Sequence, residues 1–165
     1  MISNGRMVSF IEIWGLPMID ILKQLTDQVM GWLRDDPVRP EVPFTSRIND
    51  NAEIFTLPGE DRPFAITCVA YMDFVPASES RLFVPTETPT IAVFYTIWSY
   101  RKGAGRELLL EAVEHIKKNR PEITRFVTLS PKTDMARQFH LKNGAVVFRE
   151  NENTVNYEYE TKVLG

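Results

Sequence analysis

The chain has 165 residues, enough for the single domain that we predict over 1–165, and its 44% hydrophobic and 25% charged residues are ordinary for a globular protein. Its formal net charge of −3 argues against a general nucleic-acid or anionic-membrane binder. The sequence has no apolar run near the roughly 18 residues that span a bilayer, no signal-peptide pattern, and one cysteine, Cys68. We therefore expect a reducing, cytoplasmic setting without disulfides.

The first third of the chain predicts one strand, one helix and a loop. Val8–Trp14 is predicted as a strand that ends at a Gly-Leu-Pro break, where Pro17 suits the first turn of a helix. Apolar residues then recur at three- and four-residue spacing, which predicts an amphipathic helix. This stripe comprises Met18, Leu22, Leu25, Val29 and Trp32. Asp35-Asp36-Pro37 ends the helix, and the proline-rich stretch 37–50 is a loop with room for a short helical turn.

The remaining elements alternate strands with two helices. Turn residues, loops and apolar runs predict strands at Ala52–Leu57, Phe64–Val75, Thr90–Trp98, Ile123–Leu129, Ala145–Arg149 and Val155–Glu160. One helix begins at the glycine-containing stretch 101–106, with a buried stripe of Leu108, Leu109, Ala112, Val113 and Ile116. The other spans Thr133–Leu141 and is closed by Asn143-Gly144. This order predicts an α/β (α+β) fold, a mixed and mostly antiparallel sheet with helices on both faces.

A basic glycine turn between the strand 90–98 and the helix after it is the most informative stretch of the chain. Its sequence is Arg101-Lys102-Gly103-Ala104-Gly105-Arg106. The N–H groups and the dipole of a helix N-terminus favour an anion, and the glycines let the backbone approach it closely. We therefore predict a pyrophosphate-binding site formed by all six residues, with a phosphorylated cofactor as its ligand.

Two other phosphate-binding motifs do not fit this turn. A Walker A loop needs four residues between its glycines and a following Lys and Ser/Thr, and a Rossmann fingerprint needs a third glycine where Leu108 stands. A plain helix entry, with the basic side chains simply solvated, remains the alternative interpretation.

The turn resembles that of the GNAT superfamily of acyl-CoA-dependent N-acetyltransferases. There, a turn of the type Arg/Gln-x-x-Gly-x-Gly/Ala follows the fourth strand and opens the third helix. In this chain the turn runs from Tyr100 to Gly105, with Tyr100 at the Arg/Gln position and Arg101 displaced by one. A second landmark is the last helix, which commonly carries Asn, Ala, Tyr and a closing Gly-Phe. The matching positions here are Thr133, Ala136, His140, Gly144 and Ala145.

The resemblance implies acetyl-CoA as the acyl donor co-substrate and a primary amine, on a small molecule or a protein, as the acceptor. The acceptor would attack the thioester directly in a ternary complex. In the family a backbone N–H of the fourth strand binds the thioester carbonyl, which implicates Ile97 or Trp98. Two histidines with one cysteine offer no ligand cluster, so we expect no metal site. Homodimers are frequent in the family, so dimerisation is one option for this chain.

His140 and Tyr100 are the predicted catalytic residues. His140 occupies the position of the family's Tyr acid and could protonate the thiolate as an imidazolium or relay a proton through water. Alternatively, it could pack beside Phe139 and bond the backbone. Tyr100 could carry a proton, contact the pantetheine arm, or merely pack at the strand end. Because the strand 91–100 has no carboxylate, the base stays open between water and the acidic residues Glu53, Asp73 and Glu87. A non-catalytic acyl-CoA-binding domain or interaction domain of the same fold is the rival to an enzyme.

Overall fold

The computed structural model describes residues 19–160, which alternate eight strands with three α-helices. The strands are β1 (Asp20–Leu22), β2 (Ala52–Leu57), β3 (Ala65–Met72), β4 (Ile91–Ser99), β5 (Arg125–Thr128), β6 (Ser130–Pro131), β7 (Ala145–Glu150) and β8 (Thr154–Tyr159). The helices are α1 (Asp27–Leu33), α2 (Ala104–Asn119) and α3 (Asp134–Lys142). Short 3-10 turns lie at Phe44–Ser46 and Glu79–Arg81.

One mixed sheet joins all the described strands. Its order is β1-β2-β3-β4-β5-β8, and both β6 and β7 also pair with β8. Every pairing is antiparallel except that of β4 with β5, which α2 connects. A parallel neighbour requires such a crossover, because a tight hairpin cannot return the chain in the same direction. The predicted fold class is confirmed.

The sheet divides the core into two apolar clusters. Alternate residues of β3 face opposite sides, so Val69 packs on the α2 side and Cys68 on the α1 side. The predicted stripe of α2 is buried in full: Leu108, Leu109, Ala112, Val113 and Ile116. On the other face α1 buries Val29 and Leu33 against the sheet. The core therefore positions one helix on each side of β4.

The first predicted helix is wrong in its N-terminal half. Asp20–Leu22 is the edge strand β1, antiparallel to β2, and α1 begins only at Asp27. The Thr26 hydroxyl accepts the Val29 N–H at 3.2 Å and caps this shorter helix. Leu22 still packs against the apolar cluster on the α1 side. The apolar spacing therefore predicted the packing of Leu22 correctly and its backbone conformation incorrectly. The predicted strand Val8–Trp14 lies outside the described residues.

The later elements are confirmed, with small shifts of their ends. Thr133 caps α3 by accepting the Ala136 N–H, and Gly144 closes it with a φ of 101°, a conformation that glycine adopts at little cost. The predicted strand Ile123–Leu129 is shorter, because Leu129 already leaves β5 and Ser130–Pro131 pairs separately with β8. The hairpin of β7 and β8 is present as predicted.

Candidate active site

Strands β4 and β5 stop pairing halfway along β4. Their parallel register runs from Ile91–Arg125 to Phe94–Thr128, and the Leu129 N–H then donates to the Phe94 carbonyl at 3.0 Å. On the other edge of β4, Thr96 pairs with Cys68 of β3, and Phe94 pairs with the next residue of β3, Val69. Tyr95 is therefore an extra residue between these two pairs, which makes a β-bulge. The bulge bends the strand at the point where pairing with β5 ends.

The open edge of β4 presents backbone N–H groups to the cleft. The Tyr100 N–H donates to the Phe64 carbonyl at 2.8 Å, so residues in phase with Tyr100, including Trp98, bond to β3. Ile97 and Ser99 are out of phase and direct their N–H groups away from β3, beyond the end of the β4–β5 pairing. Of the two predicted carbonyl-binding N–H groups, the register favours that of Ile97.

A cavity of about 350 Å³ lies at this opening. Its walls come from β4, from the segment after β5, from α3 and from Pro37-Val38. The predicted residues that line it are Ile97, Trp98, Gly105 and His140. Thus the two stretches of sequence singled out earlier, the glycine turn and the last helix, meet at one cavity.

The glycine turn forms the N-terminus of α2. Gly103 is its N-cap in a left-handed conformation with φ of 84°, which favours glycine at this position. Arg101, Lys102 and Arg106 are exposed around it, although Arg101 also pairs with Glu107 at 3.5 Å. Ala104 differs from the prediction, since its side chain is buried and its N–H already donates to the Arg101 carbonyl at 3.0 Å. The remaining N–H groups of the first helical turn have no partner within the helix.

Gly105 lies where the helix meets the cavity. A Cβ at this position would lie 3.5 Å from the Phe139 ring and 3.8 Å from the Ser99 hydroxyl oxygen. A larger side chain would therefore enter the space between α3 and the end of β4. The absence of a side chain keeps the helix N-terminus accessible from the cavity.

His140 is held in an aromatic environment on α3. It is 4% exposed, and its Nδ1 lies 2.7 Å from the Tyr159 hydroxyl, while its ring stacks on Tyr157 with centroids 5.0 Å apart. Burial lowers the pKa of His140 from its usual 6.5 to about 4. At neutral pH the imidazole is uncharged, which corrects the expectation of an imidazolium acid. Its Nε2 makes no hydrogen bond to any residue within 19–160, and its side chain does not bond the backbone.

Tyr100 lies beside the cavity rather than in its lining. Its hydroxyl accepts from the Trp98 indole at 3.1 Å and donates to the Asp35 carboxylate at 3.2 Å. The Arg62 guanidinium lies over its ring, 3.7 Å from the centroid. The only link that these contacts give Tyr100 to the cavity is through Trp98, so neither a proton-carrying role nor a pantetheine contact gains support from its position.

A buried polar network that the sequence analysis missed fixes the Pro37-Val38 wall. One oxygen of Asp36 accepts the Thr96 hydroxyl at 2.7 Å and the N–H groups of Val38 and Arg39 at 2.8 and 2.9 Å. The other accepts from Arg47 at 2.8 Å, and both side chains of this ion pair are fully buried. An Asp-Asp-Pro sequence with an arginine eleven residues later was the available signal, but nothing in its pattern indicates burial.

The carboxylates considered as bases lie elsewhere. Glu53 accepts the Tyr71 hydroxyl at 2.6 Å and pairs with Arg120, and Asp73 accepts from Thr86. Neither these two nor Glu87 lines the cavity, whose described lining contains no carboxylate. The base remains unassigned.

No family model and no curated protein sequence matches the chain. A structure of malonyl-CoA decarboxylase from Cupriavidus metallidurans matches 94% of this chain with a TM-score of 0.70 and 15% identity. The GNAT domain of S. lividans PAT matches 86% with a TM-score of 0.62 and 12% identity. The chain has the GNAT fold.

A Bacillus subtilis acetyltransferase solved in complex with CoA shares this GNAT fold. It matches 86% of this chain and 97% of its own length, with a TM-score of 0.62 and 13% identity. By contrast, the chain spans 64% of the malonyl-CoA decarboxylase from Cupriavidus metallidurans.

Three further features belong to the part of this GNAT fold that the structure describes. No group of three or more His, Cys, Asp or Glu side chains in 19–160 is arranged to hold a metal ion, and no helix there is long and apolar enough to cross a membrane. Burial raises the pKa of the Cys68 thiol to about 11, so this residue is a protonated core side chain at neutral pH.

The buried, uncharged His140 makes stability depend on pH. As the pH falls below about 6.5, this histidine binds a proton in the unfolded chain, whereas in the folded chain it does so only near pH 4. The free energy of unfolding therefore falls as the pH drops through this window. We expect this group to account for a loss of roughly 3 kcal/mol. Urea unfolding of the parent and His140→Phe at pH 7 and pH 4 measures it, and a difference between them that does not change with pH would contradict the neutral assignment.

Proposed function

We propose that this protein is an acetyl-CoA-dependent N-acetyltransferase that transfers the acetyl group to a primary amine by direct attack in a ternary complex. One observation carries the proposal: the N-terminus of α2 and the open edge of β4 meet at the same cavity. The first suits the pyrophosphate of CoA, and the second suits its pantetheine arm and thioester. The shared fold of an acetyltransferase solved with CoA supports the same ligand.

The residues present fit this co-substrate. Gly105 leaves a space that a larger side chain would fill, and Gly103 adopts the conformation that turns the chain into the helix. The exposed Arg101, Lys102 and Arg106 supply positive charge around the pyrophosphate. Bound acetyl-CoA supplies the activated acyl group, and the N–H of Ile97 donates to the thioester carbonyl oxygen as it gains negative charge.

His140 then acts as a neutral hydrogen-bond donor. When the Tyr159 hydroxyl donates to Nδ1, the imidazole proton lies on Nε2, the nitrogen left for a ligand. An Nε2–H donor stabilises the departing thiolate without needing the charged imidazolium, and the thiolate takes the proton that the attacking nitrogen releases as it becomes an amide. The acceptor ammonium must lose its proton before attack, and with no carboxylate in the described lining, water takes that proton.

His140→Phe should retain acetyl-CoA binding and lower kcat by about 100-fold, because it removes one donor to developing charge. The measurement is CoA release, followed with a thiol reagent, during incubation of acetyl-CoA with a panel of primary amines. The panel includes polyamines, aminoglycosides and lysine peptides, since the mild acidity of the chain is compatible with each. His115→Phe is the matched control, because His115 lies on α2 outside the cavity lining. Equal rates for both variants would remove His140 from the reaction.

Malonyl-CoA decarboxylation is a second candidate, favoured by the TM-score of 0.70 with a malonyl-CoA decarboxylase and by a cavity without carboxylates. Loss of CO₂ needs a stabilised enolate oxygen but no amine and no base, and the enolate carbon then takes one proton from water to give acetyl-CoA. Incubation with malonyl-CoA alone, with mass spectrometry for acetyl-CoA, separates the two reactions. Binding of both thioesters without turnover of either would instead support the non-catalytic acyl-CoA-binding domain.

A further inference from the structure

The Arg39 side chain lies in the gap where β4 and β5 separate. It is 8% exposed, its Nε donates to the Tyr95 carbonyl at 3.2 Å, and its Nη2 donates to the Leu129 carbonyl at 2.8 Å. Tyr95 and Leu129 directly follow Phe94 and Thr128, the last residue pair of the parallel ladder. The guanidinium therefore bonds the bulge residue of β4 and the first residue after β5, just beyond the last pair of the ladder.

A guanidinium is suited to hold two such groups at a fixed separation. Its donors form a rigid planar fork, whereas a lysine ammonium is a single point on a flexible stem. Here the Arg39 fork bridges the carbonyl of Tyr95, the bulge residue of β4, and the carbonyl of Leu129, the first residue after β5. The separation of the two carbonyl groups is thus set by a side chain from neither strand.

The fork is itself held in place from outside the cleft. The Arg39 N–H donates to Asp36 at 2.9 Å, and the same carboxylate oxygen accepts the hydroxyl of Thr96 on β4. The Nη1 atom of Arg39 lies 3.5 Å from the carboxylate oxygen Oε1 of Glu79. Arg39 and Asp36 together fix the bulged part of β4 against the loop that forms the Pro37-Val38 wall.

We propose that Arg39 is a positioning residue that sets the width of the cleft between β4 and β5, and through it the binding of the pantetheine arm of CoA. This inference rests on the proposed function. A substitution of Arg39 should therefore weaken binding of the pantetheine arm, which enters the cleft, and leave binding of the pyrophosphate at the glycine turn unchanged.

The test uses Arg39→Lys and two ligands, CoA and 3′-phospho-ADP, which carries the pyrophosphate without the pantetheine arm. By titration calorimetry, we expect Arg39→Lys to weaken CoA binding at least about 10-fold and to leave 3′-phospho-ADP binding within about twofold. Arg125→Lys is the matched control, because Arg125 is also a bidentate arginine, bonded to Glu158 at 2.9 and 2.8 Å, outside the cavity lining. It should bind both ligands as the parent does.

The other outcomes each overturn a different statement. The positioning role is overturned if a folded Arg39→Lys variant binds CoA with unchanged affinity. It is also overturned if the affinities for CoA and 3′-phospho-ADP fall equally. Failure of the parent to bind CoA overturns the proposed function instead. If far-UV circular dichroism shows that Arg39→Lys is unfolded, Arg39→Gln, which keeps one donor group, takes its place. Loss of fold in both variants would make Arg39 a determinant of the fold and overturn the inference.

Discussion

Gly105→Glu is expected to abolish acetyl-CoA binding, raising Kd by at least about 100-fold, which corresponds to roughly 2.7 kcal/mol. The new side chain starts 3.5 Å from the Phe139 ring and 3.8 Å from the Ser99 hydroxyl, so it fills the mouth of the cavity. Its carboxylate also brings negative charge to the helix N-terminus that would hold the pyrophosphate. Isothermal titration with acetyl-CoA measures the effect.

Gly105→Ala is the matched control for this substitution. Its single methyl group would make ordinary van der Waals contacts, the nearest at 3.5 Å, and would add no charge. We expect the alanine variant to bind acetyl-CoA within about threefold of the parent. Near-parental affinity in a folded Gly105→Glu variant would place the cofactor elsewhere.

Asp36→Ala is expected to lower the free energy of unfolding by about 3–5 kcal/mol. The substitution leaves the fully buried Arg47 guanidinium without its carboxylate, and it removes the acceptor of the Thr96 hydroxyl and of two backbone N–H groups. For a chain of this size the loss corresponds to a fall in Tm of roughly 10 °C. Urea and thermal unfolding measure both quantities.

The neighbouring Asp35 provides the control for that prediction. It is exposed, and its carboxylate accepts the Tyr100 hydroxyl at 3.2 Å. Asp35→Ala should change the free energy of unfolding by less than about 1 kcal/mol, because its bond is open to solvent. If Asp36→Ala proved as stable as Asp35→Ala, the buried network would not be holding the cavity wall.

Periodicity predicted the elements whose burial is regular. The five apolar residues of α2 recur at helical spacing and are all buried, and the glycine turn before them was recognisable from residue types alone. Periodicity failed for Asp20–Leu22, because apolar residues such as Leu22 face the core equally well from a short edge strand. Pairing with β2 decided the conformation, and that partner lies more than thirty residues away in sequence.

The sequence indicated which residues lie at the candidate site but not the contacts that orient them. Gly105 was expected to bind the cofactor and His140 to act in catalysis, and both line the cavity. The partner that orients His140, Tyr159, lies nineteen residues away on β8 and gives no local signal. Likewise, Arg39 lies in a loop without periodicity, and its partners Tyr95 and Leu129 are backbone carbonyls, which sequence reasoning cannot single out. Residues that act through long-range contacts are visible only once the chain is folded.

Native mass spectrometry of the purified protein, with and without acetyl-CoA, shows whether this cavity binds CoA. We predict a one-to-one adduct of the cofactor's mass at micromolar acetyl-CoA, present in the parent and Gly105→Ala and absent in Gly105→Glu. A folded parent protein that forms no adduct would contradict it, since the open edge of β4 and the N-terminus of α2 would then meet at a cavity that does not bind CoA.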